Sequence, residues 1–198
     1  MFGLLEDSNV NAPLHKTVIY SQLVMDSAER EKFDADISRI AIVNRITSRH
    51  IAEGKDVKTI NVLTVQLKHK EYNPKNIVAL SKLIDQKMVF ALMFEDETQL
   101  ATYCTRLITS QWQPTDDVKV PLTGLNLDSV WENIVAAIGR ITIVGSNSIS
   151  EQIAEDDAHA KLVKQIEHLE KKARAEKQPR KKLELFEKLK GLKSRLYE

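Results

Sequence analysis

Hydrophobic and polar positions alternate in rhythm along the 198 residues, and the changes of rhythm mark the elements. Thr17 to Tyr20 reads as a short strand. Asp26 and Glu29 then stand at capping-box spacing: Asp26 can accept exposed amides while Glu29 reaches back. Phe33, Ile37, Ile40 and Ala41 recur at three- and four-residue intervals, which predicts a helix over 27–48 that ends before Gly54. Thr59 to Leu67 is a mostly apolar, β-branched run, the signature of a strand buried on both faces. Asn73 and Pro74 supply an N-cap and a first-turn proline for a helix lined by Ile77, Leu80, Leu83 and Ile84. Met88 to Phe94 is the next strand. The acidic break Glu95-Asp96-Glu97-Thr98 then predicts a hairpin into a run from Gln99 to Ile108.

The first two strands of this strand–helix–strand–strand unit can pair in parallel through the helical crossover, which predicts a mixed sheet. Gln113 to Gly124 is a proline-containing connector in which Val118 to Leu122 can add an edge strand. Ser129 and Glu132 predict a second capping box, ahead of a helix with Val130, Ile134, Val135 and Ile138 on one face and Trp131 anchoring it. Gly145-Ser146-Asn147-Ser148 marks the expected boundary between an α/β body, 1–146, and a helical arm, 147–198. The expected fold class is α+β: a small mixed β-sheet with packed helices, plus a C-terminal basic amphipathic helical hairpin or arm.

In the arm, Leu162, Ile166 and Leu169 share a face, and Gln178-Pro179 interrupts the run. Leu185, Leu189, Leu192 and Leu196 follow at spacings of four, three and four, a heptad-like seam of coiled-coil type. So short a seam is marginal alone and needs cover: the body, a second copy or a partner protein. These four leucines are the candidate partner-docking residues.

Charge changes the picture only at this end. The chain carries a net +1, yet positions 161–198 hold 13 Lys or Arg against 6 Asp or Glu, giving +7. Lys171, Lys172, Arg174, Lys177, Arg180, Lys181 and Lys182 cluster around the break and are the candidate nucleic-acid-binding residues. Ammonium and guanidinium groups there can neutralise phosphates and release counterions. No aromatic side chain interleaves them, so base stacking is not expected. The bland counterpart is a solvated helical face.

Catalytic chemistry finds little support. No glycine-rich phosphate loop occurs, and no serine occupies a nucleophile elbow. His15, His50, His69, His159 and His168 are dispersed without metal-ligand spacing. Cys104 is alone, which excludes a disulfide framework within one chain, and its mid-strand position suits a buried, inert thiol. No cofactor and no metal site is expected. One enzymatic alternative is a metal-dependent nuclease, with Asp56 ahead of a strand ending Gln66-Leu67-Lys68. Gln66 brings no negative charge to such a site, and no turn separates Asp56 from Gln66. With no leader segment and no apolar run near the ~20 residues a membrane span needs, a cytoplasmic protein without membrane contact is the expectation.

Several patterns together resemble a bacterial domain-of-unknown-function family. They are Phe33-x-x-x-Ile37-x-x-Ile40, Ile60-x-Val62-x-x-Val65-x-Leu67-Lys68 and Leu80-x-x-Leu83-Ile84-Asp85. In the arm they are Leu169-Glu170-x-Lys172-x-Arg174-x-Glu176-Lys177-Gln178 and Lys182-x-Glu184-Leu185. Members of that family often sit beside genes for a helicase and a site-specific DNA methyltransferase of restriction-modification type. The resemblance implies an accessory or adaptor subunit of a DNA-modification or phage-defence system. Its partner would be a helicase or methyltransferase subunit, or a second copy, and it transfers no catalytic residue.

Overall fold

The computed structural model describes residues 2–143 and 148–194. The chain divides into two compact units, Met1–Ile143 and Val144–Glu198. The boundary expected near residue 146 lies outside the described residues.

The first unit is built on a mixed seven-stranded sheet in the order β1-β2-β3-β4-β5-β6, with β7 also pairing β5. The strands are β1 (Asn9–Pro13), β2 (Ile37–Ile46), β3 (Ile60–Leu67), β4 (Lys87–Phe94), β5 (Glu97–Cys104), β6 (Arg106–Thr109) and β7 (Gln113–Pro114). Only β3 and β4 run parallel, from Ile60↔Lys87 to Gln66↔Met93. Helix α3 (Pro74–Leu80) makes the crossover, with the Asn73 side chain accepting from Lys75 N and Pro74 in the first turn. Leu83 and Ile84 lie beyond its end. They pack as half-buried residues against a core formed by Phe33, Ile40, Leu63, Val65, Ile77, Leu80, Phe90 and Leu92. In β3 the apolar residues of both faces are buried, as a continuous β-branched run requires.

Several elements differ from what the pattern predicts. The run from Gln99 to Ile108 is not one strand but parts of two, β5 and β6, which pair antiparallel across Thr105. Residues 17–20 are not a strand but part of helix α1 (Lys16–Gln22), in which only Ile19 is buried. The predicted helix over 27–48 is two elements, α2 (Ser27–Asp36) followed by β2. The Asp26–Glu29 capping box is present at the start of α2. In β2 the pairing with β3 shifts register between Ile37 and Arg39 and again between Ile42 and Asn44. Each such bulge inserts a residue and resets the alternation. Ile37 and Ile40 are thereby both buried at a three-residue interval that imitates a helix.

Helix α4 (Leu127–Gly139) lies against β5 and β6 and buries Leu127, Val130, Trp131, Ile134, Val135 and Ile138. Its capping box is formed by Asn126 with Ser129, not by Ser129 with Glu132. Asn126 is competent to cap, and it puts Leu127 into the buried stripe. Val118 to Leu122 forms no strand: Val120 N–H donates to Phe2 O, and the segment otherwise stays off the sheet.

The second unit holds helices α5 (Ile149–Ala175) and α6 (Pro179–Ser194). Among the described residues no helix is long and apolar enough to cross a membrane.

Candidate nucleic-acid interface

The arm is a helical hairpin. Ser148 and Glu151 form the capping box that starts α5, and Pro179, whose ring fixes φ and lacks an N–H, opens α6. Between them Glu176, Lys177 and Gln178 form a three-residue turn. The turn is held by its own acid: Glu176 Oε1 accepts Gln178 N–H at 2.9 Å. That backbone bond, with Lys177 N–H and the nearby cations Lys181 and Lys172 assisting against desolvation, holds the Glu176 carboxyl below its usual range.

The leucine seam closes this hairpin. Leu189 is 4% exposed and packs with Ile166 and Ala173, flanked by half-buried Leu162, Leu169, Leu185 and Leu192. Leu185, Leu189 and Leu192 are therefore covered by α5 of the same chain, and Leu196 lies outside the described residues. The apolar side chains that α6 leaves open are Leu183, 62% exposed, and Phe186, 48% exposed. Lys193 Nζ lies 2.6 Å from Glu170 Oε1, a second tie between the helices. The Lys193 hydrogen bond holds the Glu170 carboxyl below its usual range, with Arg174 a lesser contributor.

All seven candidate cations lie around the turn: Lys171, Lys172 and Arg174 on the last turns of α5, Lys177 in the turn, and Arg180, Lys181 and Lys182 on the first turn of α6. All are exposed except Lys182, which is half-buried. The arginines are engaged within their own helices, Arg174 with Glu170 at 3.9 Å and Arg180 with Glu184 at 3.8 Å. Lys171, Lys172, Lys177, Lys181 and Lys182 make no ion pair within 4.0 Å among the described residues. Over 171–182 only Glu176 opposes them. The hairpin tip is thus a cationic end on a short, internally packed support, suited to an anionic polymer.

Residues 2–196 match the family described as domain of unknown function DUF4391. The chain belongs to this family. No curated protein matches the chain significantly, and no solved structure does.

In this DUF4391 member the nuclease constellation does not assemble. Asp56 precedes β3, whereas Gln66 and Lys68 stand at its far end, so an eight-residue strand of about 3.3 Å per residue separates them. Gln66 is engaged with Met93 O. The acids nearer Lys68 have other partners. Asp36 accepts from Asn73 N and Asn76 Nδ2, both at 2.7 Å. Asp34 accepts from Lys16 Nζ and Tyr20 Oη, both at 2.5 Å. Among the described residues no three His, Cys, Asp or Glu side chains gather to hold a metal ion. Cys104 is buried.

Asp56 instead lines a cleft of about 400 Å³ beside the starts of β3 and β4, with Lys58, Asp85, Gln86, Lys87 and Tyr103. Gln86 of this lining ends a hydrogen-bonded row: Arg45 Nε donates to Asn61 Oδ1 at 3.1 Å, and Asn61 Nδ2 donates to Gln86 Oε1 at 2.7 Å. Both signs of charge line the cleft, so it offers no selective field for an anion or a cation.

Proposed function

We propose that this protein is a non-catalytic accessory subunit of a DNA-modification or phage-defence system, which docks on a protein partner and contacts nucleic acid through its C-terminal hairpin. One observation carries the reading: five lysines that make no ion pair within 4.0 Å among the described residues are gathered at the turn of a hairpin whose apolar seam is already filled. An exposed cluster of uncompensated charge costs self-repulsion, which an anionic partner relieves. The gene company implied by the family resemblance, a helicase and a site-specific methyltransferase, supplies nucleic acid as the shared substrate. A helicase or methyltransferase subunit is the proposed protein partner, and Leu183 and Phe186 are the open apolar side chains available to it.

Two measurements on the full chain test this. Affinity capture from the native host should recover a helicase or methyltransferase subunit. Incubation with duplex DNA and Mg²⁺ or Mn²⁺ should leave the DNA intact. Metal-dependent cleavage that disappears in Lys68→Ala would replace the adaptor by the nuclease.

A further inference from the structure

We infer that the groove between α5 and α6 beside Phe186 receives an acidic amphipathic helix of a protein partner. This rests on the protein-docking part of the proposed role and names the place and the chemistry of what docks there.

The groove has a volume of about 560 Å³ and belongs to the hairpin alone. Glu170 and Arg174 line it from α5, and Phe186, Leu189, Lys190 and Lys193 line it from α6. Leu189 is 4% exposed because the seam already uses it, whereas Phe186 stays 48% exposed. Leu183, 62% exposed, stands three residues before Phe186 and so on the same side of α6. These two side chains forgo the burial that holds the rest of the hairpin together. Apolar side chains of a partner recover it.

Charge selects the kind of partner. Three cations and one carboxylate line the groove. Glu170 is held by Lys193 at 2.6 Å. Arg174 approaches the same carboxylate only at 3.9 Å, and its side chain is 81% exposed, so its guanidinium is open to a second acid. Lys190 makes no ion pair within 4.0 Å among the described residues. Positive charge is thus in excess around the apolar lining of Phe186 and Leu189. Its complement is a segment whose apolar residues are flanked by Asp or Glu. Nucleic acid suits this groove less well than it suits the hairpin turn. Phosphates drawn to Arg174 and Lys190 would lose water against Phe186 and Leu189, which offer no hydrogen bond in return.

Backbone accounting selects the conformation. Both walls are α-helices, whose N–H and C=O groups are spent within their own helices. An extended peptide needs a strand edge to take up its backbone groups, whereas a helix arrives with its own satisfied and lays an apolar face into a groove. The docked segment is accordingly a third helix. Its apolar residues cover Phe186 and Leu183, and its acids meet Arg174 and Lys190.

The test begins by panning a phage library of random peptides, about four helical turns long, on the full chain, with Phe186→Ser as the counter-selection. Recovered peptides should carry apolar residues at three- and four-residue spacing, with Asp or Glu between them. In fluorescence anisotropy the best labelled peptide should bind Phe186→Ser, and the double variant Arg174→Glu/Lys190→Glu, at least about tenfold more weakly. The same peptide with its acids replaced by Lys should lose the wild-type chain and recover binding to the double variant. Far-ultraviolet circular dichroism should find both variants as helical as wild type. The double variant alters only exposed side chains, so it decides the matter even where Phe186→Ser loses helix.

Peptides that are basic, proline-rich or indifferent to both variants overturn the inference, as does recovery of no peptide. A helicase or methyltransferase subunit captured equally by wild type and Phe186→Ser would then keep the proposed role, through another surface. Duplex DNA that displaces the peptide, and is itself weakened by Phe186→Ser, assigns the groove to nucleic acid and likewise overturns the inference. Peptide binding as expected, with neither subunit captured from the host, keeps the groove and removes the accessory role.

Discussion

The Asp128 carboxylate, at the start of α4, accepts the backbone N–H of Val57 at 2.7 Å. Its oxygens also accept Lys55 N–H at 2.6 Å and Asp56 N–H at 3.2 Å. Three consecutive amides leading into β3 therefore converge on one anion supplied by the fold. The arrangement has the form of a backbone nest, filled from within the chain and so closed to an outside ligand. Desolvation works to raise the Asp128 pKa, but the amides of Val57, Lys55 and Asp56 outweigh it and hold the carboxyl below its usual range.

Asp128→Ala should destabilise the first unit by about 1–2 kcal/mol, the scale of charge-assisted hydrogen bonds at a partly solvated site. Denaturant unfolding followed by tryptophan fluorescence checks it. Because the folded pKa is depressed, this stabilisation is present above the unfolded value near 3.9 and is lost as pH falls through the folded pKa. The wild-type advantage over Asp128→Ala should be constant at neutral pH and should shrink in acid. An advantage that grew on acidification would contradict the assignment.

Gly54→Ala should cost about 1–3 kcal/mol through overpacking. A Cβ at Gly54 would stand 2.3 Å from Asp128 Oδ1 and 2.8 Å from Asp128 N. Removing the carboxylate relieves only the first clash, so Gly54→Ala made on Asp128→Ala should still destabilise. Thermal melts of the four chains measure that cycle.

Tyr20 and Tyr72 should ionise near pH 12. Burial pushes Tyr20 up to about 12, with its hydrogen bond to Asp34 assisting. Burial alone does the same for Tyr72, whose hydroxyl donates to Gln99 Oε1 at 2.8 Å. An acid whose folded pKa is raised stabilises the fold below its unfolded pKa, near 10, and loses that stabilisation as pH rises towards 12. Phenolate absorbance of Tyr20→Phe and Tyr72→Phe should each lack one group titrating near pH 12, and an unchanged amplitude there would refute the placement.

Leu189→Ala should weaken the hairpin by about 2–3 kcal/mol, the usual cost of emptying a buried leucine site. Leu189→Asp should unfold it. Far-ultraviolet circular dichroism should register the lost helix, while tryptophan fluorescence of the first unit, which holds Trp112 and Trp131, stays unchanged. Leu183→Asp, at a position 62% exposed, should leave the helix content intact. Equal helix loss in both variants would mean that α6 packs by another face.

The unit from β3 to β5 was legible because each of its signals is local. A β-branched run buried on both faces has few alternatives to a strand. Asn73-Pro74 supplies a cap and a first-turn proline, and the acidic break after Phe94 marks a hairpin, although its turn takes only Glu95 and Asp96 while Glu97 and Thr98 belong to β5. The α2 capping box was legible for the same reason. β2 was not, because its bulges become visible only once β3 lies beside it. At α4, Asn126 and Ser129 are both competent caps, and burial of Leu127 decided between them. In the arm, the seam and the basic cluster could be counted along the chain. Their consequences could not.

The order of residues alone determined a mixed sheet with helices and a cationic, amphipathic C-terminal arm, since periodicity, capping and charge are properties of neighbours. Tertiary structure decided that α5 itself covers Leu189, that Lys193 of α6 ties to Glu170 of α5, and that Lys172 and Lys181, from different helices, both act on the Glu176 carboxylate. Each of those depends on distances between residues far apart in sequence or on different helices, and such distances exist only once the chain has folded back on itself.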